Sequence, residues 1–204
     1  MNDQQDGKWE RRYQEPGQLF AATPSPLLLD HQNLFDPTMR VLVPGDGEGR
    51  NGVWLAKQGL DVTSVEISSS AVEKARAWAT KQSTALNQLC GDVLTYPLQE
   101  NEFDAIVLIF VHLPRNDMDS LLDKIQIAAR PGGYFFFEGF HQDNLTACDS
   151  GPRDPDMLFT LDQLERRFST WQIKLLTTVD TQVEKRGEFL GKGIAIHFIA
   201  QKPL

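Results

Sequence analysis

The stretch that decides the fold reads Val41-Leu-Val-Pro-Gly-Asp-Gly-Glu-Gly-Arg-Asn-Gly-Val-Trp-Leu-Ala56. Its aliphatic start predicts a short buried strand, Gly45, Gly47 and Gly49 predict a tight turn, and the apolar spacing that follows predicts a helix. Glycines let a ligand approach the backbone where a Cβ would collide, and a helix N-terminus presents unpaired N–H groups. The stretch therefore predicts a binding loop for a carboxylate, a ribose or a phosphate.

The spacing of the glycines narrows the choice of ligand. The dinucleotide fingerprint G-x-G-x-x-G needs a third glycine at the position of Arg50, and here that glycine comes one residue early. A second predicted strand ends in Glu66, about twenty residues after the first glycine, where a ribose-binding acid belongs in nucleotide-binding α/β sheets. A third predicted strand, residues 86–90, leads into Gly91-Asp92 and places a second carboxylate where an adenine amino group would donate to it.

In this order and spacing the chain resembles the class I S-adenosylmethionine-dependent methyltransferases. The resemblance covers roughly residues 40 to 140. It consists of Gly45-x-Gly-x-Gly49, Glu66, Gly91-Asp92, and Phe103-Asp-Ala-Ile-Val followed by Pro131-Gly-Gly133. Within that superfamily, Trp9-x-x-Arg-Tyr13, Val65-Glu-Ile-Ser and Ala71-Val are similar to the thiopurine, thiol and tellurite-resistance methyltransferases, which act on small soft nucleophiles.

The resemblance implies S-adenosylmethionine as the cofactor. The residues expected to contact it are Gly45, Asp46, Gly47, Gly49, Arg50, Asn51, Glu66, Ile67, Ser68, Gly91, Asp92, Val93 and Ile109. By the same resemblance, Val93 is expected to lie against the adenine and Ile109 to offer its carbonyl to the ammonium. For Arg50 two interpretations stay open: it pairs with the methionine carboxylate, or it faces water. The usual acid two residues before the first glycine is absent, because that position is Val43. Asp46 and Glu48 are the alternative sources of negative charge.

His112 is the one side chain expected near the reacting atom. The apolar run 103–111 predicts a central parallel strand, and His112 follows its carboxyl end, where ligands bind in doubly wound sheets. Two interpretations stay open: an anchor that hydrogen-bonds to the next helix, or a base that orients or deprotonates the acceptor. A free thiol has a pKa of about 8.5, so partial ionisation or a base such as His112 would supply thiolate. No metal-ligand cluster is visible, and the chemistry requires no metal.

Composition restricts the partners. The net charge of −8 disfavours a nucleic-acid substrate, and no apolar run reaches the length of a membrane span. The polar N-terminus carries no secretory signal, so a cytoplasmic location is expected.

The two cysteines, Cys90 and Cys148, are far apart in the sequence, which is typical of reduced thiols. Cys90 is predicted to be a small core residue.

The predicted fold is a doubly wound three-layer α/β sandwich with a seven-stranded, mostly parallel sheet and an antiparallel C-terminal hairpin. The chain is expected to be a single domain, residues 1–204, with an N-terminal segment (1–35), a cofactor-binding core (39–140) and a substrate loop with the hairpin (141–204). Trp9, Tyr13 and Phe20 predict that the N-terminal segment either packs as a fixed helix or closes as a lid over the cofactor.

The expected function is methyl transfer from S-adenosylmethionine to a small-molecule acceptor, namely a thiol, selenium or tellurium species. An oxygen or nitrogen acceptor is one alternative, and a non-catalytic nucleotide-binding protein is another. A nicotinamide-dependent oxidoreductase is disfavoured by the position of the third glycine. The sequence leaves the oligomeric state open.

Overall fold

The computed structural model describes residues 3–147 and 151–204, so Cys148 lies outside the described residues. Its α-helices are α1 (Asp3–Gln14), α2 (Pro26–Asp30), α3 (Arg50–Lys57), α4 (Ser69–Lys81), α5 (Arg115–Ala128), α6 (Asn144–Ala147) and α7 (Leu161–Arg167). Its strands are β1 (Arg40–Pro44), β2 (Asp61–Glu66), β3 (Asn87–Cys90), β4 (Phe103–Ile109), β5 (Ala129–Phe140), β6 (Gln172–Lys185) and β7 (Glu188–Gln201). None of the helices in the described ranges is long and apolar enough to cross a bilayer.

The chain forms two compact units that meet in sequence at Pro97 and Leu98. In the first unit β1 runs parallel to β2, and β2 runs parallel to β3. In the second unit β4 runs parallel to β5, whereas β7 pairs antiparallel with both β5 and β6. Together these are the seven strands of one mostly parallel sheet, which confirms the predicted fold class.

Local sequence explains the elements of the first unit. Val41, Leu42 and Val43 are buried in β1, and the side chain of Ser25 caps α2 by accepting the N–H of Leu27 at 3.1 Å. The apolar stripe of α4 packs into the core through Ala71, Val72, Ala75 and Ala79, all buried. Burial of such a stripe supplies most of the stability of a helix this short.

Aromatic side chains dominate the core of the second unit. Phe135 of β5 stacks on Phe168 with ring centroids 5.1 Å apart, and Phe168 also contacts Phe198 of β7 at 5.2 Å. All three side chains are fully buried. The helix α7, which precedes Phe168, is thereby fixed against the strands, and its capping box at Thr160 begins it as sequence rules predict.

One local prediction is wrong. Cys90 is exposed rather than buried, because β3 has a strand partner on one side only. The segment 131–133 lies inside β5, since α5 has already ended at Ala128. The C-terminal hairpin closes through a two-residue turn, in which Arg186 and Gly187 both adopt positive φ, 54° and 77°, as type I′ hairpins require.

Candidate functional site

The glycine turn after β1 has the backbone that its sequence predicts. Gly45, Gly47 and Gly49 have φ values of 65°, 58° and 85°, in the left-handed region that favours glycine. The N–H of Gly45 donates to the carbonyl of Val65 at 2.8 Å, which ties the turn to β2. A Cβ at Gly47 would lie 2.6 Å from the hydroxyl oxygen of Tyr13, so no larger residue fits there.

Glu66, the last residue of β2, is bound to this turn. Its Oε2 accepts the N–H of Gly47 at 2.9 Å and its Oε1 accepts the N–H of Ser68 at 3.0 Å. Burial raises the pKa of Glu66, and the hydrogen bonds from Ser68 and Gly47 oppose that shift. A carboxylate offers about four lone-pair sites, so both oxygens keep the capacity to accept a hydroxyl. The geometry therefore fits the two adjacent hydroxyls of a ribose.

Asp46 points in the other direction, into the first turn of α3. Both of its carboxylate oxygens accept the N–H of Gly52 at 3.1 Å, and Oδ2 accepts the hydroxyl of Ser64 at 3.3 Å. Burial raises the pKa of Asp46 to about 7 in spite of these hydrogen bonds. Its carboxylate fixes the shape of the loop, and direct contact of Asp46 with a cofactor stays a prediction. Gly52, which sequence reasoning missed, leaves the space that Asp46 fills.

Glu48 holds the segment that follows α1. Its Oε2 accepts the N–H of Leu19 at 2.7 Å, and its Oε1 lies 3.0 Å from Nζ of Lys74. Lys74 also donates to the carbonyls of Glu15 and Gly17, at 2.9 and 2.7 Å. The Glu48 side chain is buried, whereas the side chain of Lys74 is 28% exposed, so the ion pair is only partly shielded from solvent. Nothing in the local sequence signals these contacts, since the partners come from distant parts of the first unit.

The helix α1 is docked on the start of α4. Glu10 accepts hydrogen bonds from the hydroxyls of Ser70 and Ser68, at 2.5 and 2.7 Å, and these bonds lower its pKa to about 2. Tyr13 is buried beside Gly47, and burial followed by the negative charge of Glu66 raises its pKa well above the usual value. The fixed-helix interpretation fits this packing, and closure as a lid stays a prediction.

The other predicted contacts of the first unit lie at the carboxyl ends of β2 and β3 or at the start of α3. Asn51 is buried, and its Oδ1 accepts the N–H of Ser25 at 2.9 Å. The N–H of Gly91 donates to the carbonyl of Glu66 at 2.9 Å. Asp92 accepts the N–H of Leu94 at 2.8 Å. The residues that keep partial exposure at this edge are Gly45, Arg50, Ile67, Gly91, Asp92 and Val93, whereas Ser68 is buried as the N-cap of α4.

His112 lies two residues beyond a strained position in the second unit. Phe110, which follows the last residue of β4, Ile109, has a φ of 52°, and its N–H donates to the carbonyl of Glu138 at 2.7 Å. The imidazole of His112 stacks on Phe140 with centroids 5.4 Å apart and planes 17° apart. Burial lowers the pKa of His112 to about 4. The ring is therefore neutral at physiological pH.

Glu138 of β5 forms a buried pair with His197 in the second unit. Its Oε1 lies 3.2 Å from Nε2 of His197, and both side chains are buried. Strand register explains the pair, because Glu138 of β5 lies directly opposite His197 of β7. Sequence alternation alone misses the pair, because it does not reveal the register between β5 and β7.

Known proteins resemble the chain in sequence and in fold. Residues 41–133 match the family described as "Methyltransferase domain". The probable S-adenosyl-L-methionine-dependent methyltransferase TehB of Haemophilus influenzae is 23% identical over 146 residues, 71% of this chain and 50% of the relative. A ubiquinone biosynthesis O-methyltransferase of Coxiella burnetii is 31% identical over 99 residues, 48% of this chain and 42% of the relative. The chain thus spans about half the length of the curated relatives that it matches.

Solved structures give the same answer for the fold. A structure described in work on the conversion of a disulfide bond into a thioacetal group during echinomycin biosynthesis has a TM-score of 0.78 at 17% identity, covering 100% of this chain and 92% of that one. The crystal structure of TehB from Haemophilus influenzae has a TM-score of 0.72 at 21% identity, covering 86% and 61%. Over residues 41–133, which include the glycine turn and Glu66, the chain is therefore similar to S-adenosylmethionine-dependent methyltransferases, and its fold is the one that these solved structures share.

Proposed function

We propose that the chain transfers the methyl group of S-adenosylmethionine to a small acceptor whose nucleophile is a soft atom: sulfur, selenium or tellurium. The observation that carries the proposal is the coupling of Glu66 to the glycine turn through the N–H of Gly47. This bond holds a carboxylate suited to ribose hydroxyls beside the glycine turn, where Gly45 keeps partial exposure. The cofactor supplies an electrophilic methyl group on a sulfonium.

Each predicted contact has a task in this proposal. Glu66 accepts the ribose hydroxyls, and Asp92 accepts the adenine amino group, with Val93 against the ring and Ile67 at its edge. The partly exposed Arg50 at the start of α3 pairs with the methionine carboxylate, since guanidinium and carboxylate pair bidentately. In the second unit, the backbone carbonyl of Ile109 accepts from the ammonium.

The residues of the chain contribute mainly by position. Aligning a nucleophile with the methyl group removes the entropy of a bimolecular encounter, which supplies about 7–11 kcal/mol in favourable cases. His112, neutral and stacked on Phe140, is the side chain proposed to face the acceptor. A general base in such a position contributes about 10²–10⁴-fold.

A soft acceptor is supported by likeness alone. The structure with the TM-score of 0.78 belongs to work on sulfur chemistry, the conversion of a disulfide into a thioacetal. The likeness to an O-methyltransferase favours a hydroxyl acceptor as the second candidate. The soft acceptor and the hydroxyl acceptor differ in the atom that gains the methyl group, and a screen of acceptors identifies that atom from the product.

The test is a turnover screen with S-adenosylmethionine deuterated at the methyl group. Alkyl and aryl thiols, selenite, tellurite, a catechol and a primary amine are incubated with the protein, and methylated products are identified by mass spectrometry. The proposal predicts labelled sulfur, selenium or tellurium products that are lost in Glu66→Ala and retained in Glu184→Ala, a control on the exposed hairpin. Labelling of the catechol alone would replace the soft acceptor by oxygen, and no labelled product would contradict methyl transfer to these acceptors.

A further inference from the structure

The two nitrogens of His112 are in different situations. Nε2 is closed off from solvent and has no hydrogen-bond partner among the residues described, 3–147 and 151–204. The backbone of Phe110 acts on the ring as well, and it raises the pKa of the imidazole. Because the N–H of Phe110 already donates to Glu138, the partner on Phe110 is its carbonyl, and the ring must be the donor. This assigns the proton to Nδ1 and leaves a lone pair on Nε2.

A buried lone pair without a donor is costly, and a ligand that donates a proton removes that cost. His112 as a residue keeps partial exposure whereas Nε2 itself is closed off, so a ligand reaches Nε2 only after a shift of the ring. Phe110 has a positive φ of 52°, a strained backbone conformation of the kind that occurs at functional sites. This conformation sets the direction of the Phe110 carbonyl, which faces Nδ1 of His112.

The surroundings of the ring are aromatic. Phe140 stacks on the imidazole at 5.4 Å, Phe110 lies 6.1 Å away, and the two phenylalanine rings are 4.9 Å apart. Burial is the main cause of the lowered pKa of His112, about 4, so the ring carries no positive charge at neutral pH. A neutral base between aromatic rings offers nothing to stabilise an incoming anion.

The charged side chains nearest in sequence and register are committed to other partners. Arg115 donates to the carbonyl of Leu158, and its guanidinium lies 5.0 Å from the ring centre of Phe159. Glu138, opposite Ile109 in the sheet, is paired with His197 as described above. The local chemistry of the second unit therefore selects an uncharged ligand with a polar hydrogen.

We propose that the methyl acceptor enters as a neutral thiol and gives its proton to Nε2 of His112 during methyl transfer. The inference rests on the proposed function and narrows its range of acceptors to neutral thiols, because an oxyanion such as tellurite or selenite has no S–H proton to give to His112. The S–H bond of the acceptor breaks and its proton passes to Nε2, while the thiol sulfur forms a bond to the methyl carbon. The bond from that carbon to the sulfonium breaks, and its electron pair stays on the sulfur of S-adenosylhomocysteine. The imidazolium then releases its proton to water.

The test compares two thiols that differ in acidity. An alkyl thiol is protonated at neutral pH and needs the base, whereas a nitro-substituted aryl thiol is already ionised and does not. In His112→Gln, kcat/KM for the alkyl thiol is expected to fall by about 10²–10⁴-fold, the range of general-base catalysis. The nitro-substituted thiolate is expected to react more slowly than the alkyl thiol in the wild-type protein, because the apolar surroundings of His112 do not favour an anion. His112→Gln should change its kcat/KM by no more than about threefold, because it has no proton left to remove.

Two controls keep the outcome interpretable. His31→Gln, a histidine substitution in the first unit at a residue with no assigned role, should leave both thiols unaffected. His112→Asn retains a donor for the Phe110 carbonyl, and its S-adenosylhomocysteine affinity and circular dichroism show whether the fold survives. If His112→Gln lowers kcat/KM equally for both thiols, or if tellurite outperforms every thiol, the proton-transfer inference is overturned while methyl transfer stands. Failure of the wild-type protein to methylate any thiol would overturn the soft-acceptor proposal and this inference with it.

Discussion

Gly52→Ala should destabilise the protein, although alanine normally strengthens a helix. Gly52 lies in the first turn of α3, and its N–H donates to both oxygens of Asp46. A Cβ at this position would lie 2.2 Å from Oδ2 and 3.2 Å from Cγ of Asp46. These atoms cannot overlap, so the carboxylate must leave its position and give up its hydrogen bonds to Gly52 and Ser64.

The magnitude follows from two opposing terms. Replacing glycine by alanine in a helix contributes about 1 kcal/mol of stability. Losing the bond from the N–H of Gly52 to the ionised carboxylate costs about 1.5–3 kcal/mol, and losing the longer bond from the Ser64 hydroxyl to the same carboxylate costs about 1 kcal/mol. The net loss is about 2 kcal/mol at pH 8, which lowers Tm by about 4–8 °C in a protein of this size.

The assay is thermal and urea unfolding, with two reference variants. Gly7→Ala, in α1, places its Cβ no closer than 3.7 Å to a neighbour and should be neutral or stabilising. In an Asp46→Ala background, Gly52→Ala should no longer be destabilising, because the clashing carboxylate is gone. Equal or greater stability of Gly52→Ala in the wild-type background would refute the assignment of Asp46 as the group that fixes the loop.

Three further substitutions probe the first unit. Folding raises the pKa of Asp46 from 3.8 to about 7, so the folded protein loses stability as this carboxyl ionises. The free energy of unfolding of the wild type, relative to that of Asp46→Asn, should therefore fall by up to about 4 kcal/mol as pH rises from 4 to 7. A difference in unfolding free energy that stays constant with pH in urea unfolding would contradict this. Lys74→Met removes the donor to the carbonyls of Glu15 and Gly17, so hydrogen exchange at the N–H of Leu19 should accelerate about tenfold or more. Unchanged protection of Leu19 would show that Glu48 alone is enough to hold this segment. Glu10→Ala removes the acceptor for the Ser70 hydroxyl, so the backbone amides of α1 should exchange their hydrogens faster, while the amides of the second unit should exchange at an unchanged rate. Equal protection of α1 in the variant and the wild type would mean that apolar packing alone holds the helix.

Sequence patterns predicted the elements that depend on local chemistry. The aliphatic strand Val41–Val43 followed by alternating glycines has few backbone solutions, so both the turn and the helix at Arg50 were predictable. The N-cap at Ser25, followed by a proline, was predictable for the same reason. Glu66 at the end of β2 follows from strand length and from its distance to the glycines.

Side-chain directions in the loop were less predictable because they depend on distant partners. Asp46 turns inward only because Gly52, six residues later, has no Cβ, and Glu48 is engaged by Leu19 and Lys74, 29 and 26 residues away. Cys90 was mispredicted because apolar neighbours do not reveal that β3 has a single strand partner. Tertiary contacts decide these positions, whereas local pattern decides the elements.

Calorimetric titration tests whether the glycine turn and Glu66 bind S-adenosylmethionine. Purified protein is titrated with S-adenosylmethionine, S-adenosylhomocysteine and NADH, and the titrations are repeated with Glu66→Ala and Asp92→Ala. We expect micromolar binding of the first two ligands, no binding of NADH, and at least a tenfold loss of affinity in Glu66→Ala, about 1.4 kcal/mol for the lost ribose contacts. Absence of binding by the wild-type protein, or equal affinity in Glu66→Ala, would contradict binding at this site.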